Sequence, residues 1–168
     1  MLRAVAIVAG LLSAMHCETA LAGDAEDCKN KRISPDTAFA ACHRLAEQGQ
    51  SWAQLELAYY YQFGDGPVEK DEQEAVRWYR RAAEQGLWEG QFNLALMCLM
   101  GKGVALDKIQ GLKWLTIAAA ATSGAKRDGI MRTRNMAAQD MTSRGNRRSG
   151  EDGPRMEAET RIAIRLWR

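Results

Sequence analysis

Residues Ala53–Gly86 read AQLELAYYYQFGDGPVEKDEQEAVRWYRRAAEQG, and much of this stretch recurs further along the chain. At an offset of 37, Ala46-Glu47-Gln48-Gly49 meets Ala83-Glu84-Gln85-Gly86, Leu57-Ala58 meets Leu94-Ala95, and Gly64-x-Gly66 meets Gly101-x-Gly103. One residue is lost beside Pro67, and the offset becomes 36. Val68 then aligns with Val104, Asp71 with Asp107, Trp78 with Trp114, and Ala82-Ala83 with Ala118-Ala119. A period of this length signals stacked helix pairs, because one pair cannot bury its apolar side without a neighbour.

The apolar spacing agrees. Ser34-Pro35 opens a helix with a capping hydroxyl and a first-turn proline, and Phe39, Cys42, His43, Leu45 and Ala46 form its stripe before Gly49. A second helix runs from about Trp52 to Phe63, with Ala53, Leu57, Ala58 and Tyr61 on one side. Asp71 is expected to cap the third, with Glu74 reaching back to the amide of Asp71 as in a capping box. Ala75, Trp78, Tyr79, Ala82 and Ala83 make its buried stripe. The same order follows with Gln91 to Met100, Asp107 and Gln110 as cap and partner, and Leu112 to Ala121. The small residues Ala82, Ala83, Ala118 and Ala119 permit close helix approach.

The pattern A-Q-x-x-L-A-x-x-Y-x-x-G-x-G-x-V-x-x-D-x-x-x-A-x-x-W-Y-x-x-A-A-E-Q-G over Ala53–Gly86 resembles a Sel1-like repeat, a relative of the tetratricopeptide repeats. The resemblance implies an all-α fold, an α-solenoid of stacked antiparallel helix pairs. The departures are the extra residue at Pro67 and Cys98 in the place of Tyr61. Complete repeats are expected over 50–86 and 87–124, preceded by an N-terminal segment and partial repeat over 23–49. Residues 125–168 would supply a further helix with Ile130, Met131, Met136 and Met141 as contacts, then a flexible basic loop around Arg147-Arg148, then a C-terminal capping helix over Met156–Trp167.

Ahead of the repeats, Met1-Leu2-Arg3, an apolar run from Ala4 to Met15 and Ala20-Leu21-Ala22 describe a secretory leader over 1–22, cleaved after Ala22. The run is short for a membrane span, a retained anchor being the other reading. Export to a periplasm or the medium would place Cys28 and Cys42 in an oxidising compartment, where a disulfide between them is expected; two free thiols is the alternative. Cys98 takes the place of Tyr61 and reads as a small apolar filler.

Formal net charge is +2. From Ala125 onward 11 Lys/Arg stand against 6 Asp/Glu, which would suit phosphate, anionic lipid or an acidic protein, a solvated end-cap being the plainer reading. No aromatic platform accompanies these charges, so no nucleic-acid partner is expected. Once the leader is removed, His43 is the sole histidine, and the cysteines lack metal-site spacing, so neither metal nor cofactor is expected. Adjacent Cys42 and His43 point about 100° apart on a helix, poorly placed for a dyad.

In tetratricopeptide-like stacks the first helix of each pair lines a concave surface. By that resemblance Trp52, Leu55, Tyr59 and Gln62, then Glu89, Phe92, Leu96 and Leu99, are the candidate contact residues. Trp88, near the start of its helix like Trp52, joins them as an aromatic anchor, with packing inside the array as the competing role. The expected function is a non-enzymatic interaction module that binds another protein. The alternatives are an immunity-type inhibitor of a secreted antibacterial effector, and an enzyme acting on cell-wall material or β-lactams, for which no nucleophile and base stand out.

Overall fold

The computed structural model describes residues 23–30 and 32–145. The leader, the Arg147-Arg148 loop and the capping helix over 156–167 lie outside the described residues. Seven helices make up the described chain: α1 (residues 23–29), α2 (Pro35–Glu47), α3 (Ser51–Phe63), α4 (Glu72–Glu84), α5 (Trp88–Met100), α6 (Lys108–Ala120) and α7 (Gly124–Gly145). Among the described residues there is no strand. None of these helices is long and apolar enough to cross a membrane. The chain divides inside α4, between Trp78 and Tyr79, into two compact units.

In the first unit Ser34 caps α2 by accepting from the amide of Thr37, and Pro35 occupies the first turn. The helix ends in a Schellman turn: the amide of Gln50 donates to the carbonyl of Leu45 and that of Gly49 to Ala46. Gly49 sits at φ 89°, where a side chain would be strained. In the second unit the end of α4 repeats this turn atom for atom, with Leu87 donating to Ala82 and Gly86 to Ala83. The recurrent Ala-Glu-Gln-Gly is therefore a helix terminator.

A buried glutamine completes each of these turns. Gln54 Nε2 donates to the carbonyl of Ala46 at 3.1 Å, and Gln91 Nε2 to that of Ala83 at 3.1 Å. Both side chains are almost wholly enclosed. They satisfy a helix-end carbonyl that would otherwise be partly orphaned away from water. Gln91 Oε1 is buried without a partner, whereas Gln54 makes further interactions. Gln54→Met is therefore expected to cost about 1–2 kcal/mol and Gln91→Met clearly less, since methionine removes an orphaned acceptor there. Urea unfolding of the two variants checks this ordering.

The linker between paired helices is also built twice. Asp71 Oδ1 accepts from the amides of Gln73 and Glu74, and Asp107 Oδ1 from that of Gln110. The expected reach of Glu74 back to Asp71 is replaced by another bond: the amide of Asp71 donates to the carbonyl of Tyr61 at 2.7 Å. The amide of Asp107 likewise donates to Cys98 at 2.9 Å. Each cap residue thus ties its helix to the end of the preceding one, and Glu74 pairs instead with Arg77.

Around these ties the cores are closely packed. Ala41, Cys42, Ala53, Leu57 and Ala58 are fully enclosed in the first unit. In the second, Ala95, Leu115, Ala118, Ala119 and Ile130 form a cluster with Trp88, Phe92, Leu99, Trp114 and Met131 packed against it. Ile130 and Met131 are thus apolar contacts of α7 as expected, whereas Met136 is 40% exposed. α7 runs from Gly124 to Gly145.

The first unit opens on a segment to which the sequence pattern assigned no helix of its own. Residues 23–29 are helical, and a disulfide joins Cys28 to Cys42. Asp24 accepts from two nitrogens of Arg44, and that guanidinium holds the Asp24 carboxyl below the usual carboxylate range. Acidic residues at 24, 26 and 27 also suit the positive end of a short helix.

Candidate functional site

Trp52, Leu55, Tyr59 and Gln62 recur at helical spacing along α3, so they share a face. Leu55 is buried, while Trp52, Tyr59 and Gln62 are half-buried. The Nζ of Lys29, the residue after Cys28, lies 4.1 Å from the centroid of the Trp52 ring. A cation over an indole face is held by the ring quadrupole. Tyr59 stacks on Phe63, one turn on, at 6.2 Å and 24°. Phe63 is 42% exposed and extends the aromatic surface, although it was not among the expected contact residues. Its four-residue spacing from Tyr59 was the signal available for finding it.

In the second unit the corresponding helix is α5. Trp88, Glu89 and Phe92 are half-buried and Leu96 is buried. Trp88, Phe92 and Leu99 lean on the cluster formed with α6 and α7, so part of each apolar surface is taken up by packing. The Nζ of Lys126, from the first turn of α7, stands 5.2 Å from the Trp88 ring centroid. Glu89 keeps one carboxylate oxygen buried without a partner. The two tryptophans thus share one treatment, a half-buried ring with a lysine over it.

Cys42, His43 and Cys98 are the described residues considered above for nucleophilic or metal chemistry. Cys42 is oxidised in the disulfide, so it offers His43 no thiol. His43 lies between Phe39, at 5.9 Å, and Trp78, at 6.1 Å edge to face. Cys98 is buried, and that burial pushes its thiol pKa up, keeping it protonated and poorly nucleophilic. Among the described residues no group of three or more His, Cys, Asp or Glu is placed to hold a metal. What the described surface offers is side-chain contact: aromatic rings, a lysine over each tryptophan, and polar neighbours.

Paired helices with duplicated terminators and caps define a helical-repeat protein. The profile described as "Sel1 repeat" matches residues 53–87 and 88–123, so this part of the chain is similar to Sel1 repeats. Proteins of that family are protein-interaction modules and typically non-enzymatic scaffolds.

Among solved structures, a Sel1 repeat protein from Oxalobacter formigenes is 34% identical with a TM-score of 0.52, over 54% of this chain and 26% of that one. A protective antigen of uropathogenic Escherichia coli strains displaying an SLR fold is 26% identical with a TM-score of 0.58, over 71% and 28%. Cysteine rich protein B of Helicobacter pylori shares the fold at 24% identity with a TM-score of 0.56, over 61% and 75%. Among curated proteins, the chitin synthase regulator SKT5 of Saccharomyces cerevisiae is 37% identical over 93 residues, 54% of this chain. The match spans only 13% of that relative's length.

Proposed function

We propose that this chain is an exported, non-enzymatic adaptor that binds another protein through the aromatic residues on the first helices of its repeats. The observation that carries the reading is the division of labour within each repeat. The turns, glutamine ties and aspartate caps recur almost unchanged, while partly exposed side chains differ: Trp52 stands where the second repeat has Glu89, and Ser51 where it has Trp88. A duplicated skeleton with divergent surface residues suits a module whose surface, rather than its frame, sets the partner. The contact residues are Trp52, Tyr59 and Gln62 on α3 and Trp88, Glu89 and Phe92 on α5, with Leu55 and Leu96 supporting them from beneath.

Two further facts support the reading. The relatives SKT5 and chitin synthase regulatory factor 3 of Schizosaccharomyces pombe are both named as regulators, the second 36% identical over 77 residues. An adaptor that acts on another protein's activity is consistent with those names. The Cys28–Cys42 disulfide suits a periplasmic or secreted setting. Mass spectrometry of protein recovered from the exported fraction should find a chain beginning at Gly23.

Trp52→Ala with Tyr59→Ala is expected to reduce capture of the cognate protein at least about tenfold, in line with the weight of aromatic anchors. Helicity by circular dichroism should stay unchanged, because neither ring is fully enclosed. A double variant that retains the partner undiminished would refute the α3 surface.

A further inference from the structure

The second helices of the two repeats present different outer faces. On α4 the exposed stripe is Gln73, Arg77, Arg80, Arg81 and Glu84, fully polar. At the equivalent places on α6, 36 residues on, stand Ile109, Lys113, Thr116, Ile117 and Ala120, all exposed. Ile109 is 71% exposed and Ile117 37%. Just before the helix, Leu106 is 59% exposed where the first repeat has Lys70. Two exposed isoleucines and a leucine have replaced a glutamine, an arginine and a lysine at matched positions. A helix that carries apolar residues on both faces is one that something covers.

We propose that the cover is this chain's own C-terminal segment, residues 156–168, folded back over Leu106, Ile109 and Ile117. Where the chain leaves the described region favours it. Lys108 pairs with Asp140 in a largely enclosed ion pair, which sets the start of α6 beside the end of α7. From Asp140 to Gly145 the helix rises only about 7.5 Å. The ten residues that follow, 146–155, span up to about 33 Å when extended, ample to return to Ile109. Beyond them come Met156, Ile162, Ile164, Leu166 and Trp167, the apolar complement that the α6 face requires.

The test is limited trypsin digestion of the full chain, scoring cleavage at Arg161 and Arg165 by mass spectrometry. Cleavage is compared with that of a free peptide of residues 150–168, and light scattering is run alongside. The tail should be cut at least about tenfold more slowly than the peptide, because proteolysis follows the open population. Ile109→Gln with Ile117→Arg, which restores the character of α4 at exposed positions, should abolish that protection, as should Trp167→Ala at the other side of the contact. Circular dichroism should be unchanged in both variants. Equal cleavage of tail and peptide overturns the proposal. So does protection that survives the α6 substitutions, which would place the tail elsewhere. A wild-type dimer that the α6 substitutions convert to monomer overturns it in favour of a second copy on this face.

Discussion

Gly90→Val will destabilise the fold by about 3 kcal/mol, the upper end of the cost of forcing extra carbon into a packed interior. A Cβ on Gly90 would fall 2.9 Å from Ala82 Cβ and 3.0 Å from the backbone nitrogen of Ala83. A flexible side chain could turn aside from such an approach, but a backbone amide at the end of a helix cannot. The first turn of α5 would have to lift away, stretching the bond from Gln91 Nε2 to the carbonyl of Ala83. Helix propensity acts in the opposite sense, since replacing a mid-helix glycine by alanine ordinarily gains about 1 kcal/mol. The sign is therefore diagnostic. Gly90→Ala should be mildly destabilising despite that gain, and Gly90→Val strongly so, by denaturant midpoint. An increase in stability for either would show that the close approach of α5 to the end of α4 is absent in solution.

Removal of the Cys28–Cys42 bridge is the second large effect. Its cysteines are 14 positions apart, and a loop of that size contributes about 3 kcal/mol by restricting the unfolded chain. The remaining ties of α1 are weaker. Arg44 is more than half exposed, so its pairing with Asp24 is screened by water and adds little. Lys29 over Trp52 is a single cation–π contact. Cys28→Ser with Cys42→Ser should therefore lower stability by about 3 kcal/mol and remove the exchange protection of amides 24–29. Trp52 should become more accessible to oxidative footprinting, because its lysine cover sits next to the lost bridge. Retained protection of α1 in the serine variant would show that packing, rather than the disulfide, holds it.

The recognition of the candidate surface from sequence was uneven, for reasons visible in particular residues. Trp52 and Tyr59 could be placed on one face from spacing alone, because α3 is regular from Ser51 to Phe63. Leu55 and Leu96 share that spacing yet are buried, since the apolar arc of each helix is wider than the part left uncovered. Trp88 was expected as an anchor or as packing; the structure gives it contact with the α5–α7 cluster on one side and Lys126 on the other. Nothing in the local sequence of either tryptophan reveals those lysines, which arrive from α1 and α7.

Taken alone, the sequence determines the repeat register, the seats of the turns and the pairing of helices. These depend on local chemistry, glycine at left-handed positions and aspartate beside free amides, written into the chain twice 36 or 37 residues apart. Tertiary structure decides what local chemistry leaves open. The amide of Asp71 prefers the carbonyl of Tyr61 to the side chain of Glu74, residues 23–29 form a helix bridged to α2, and Gly90 is required because a neighbouring backbone occupies the space of its Cβ. Each of these outcomes depends on atoms distant in sequence competing for one partner or one volume, and only the folded chain brings the competitors together.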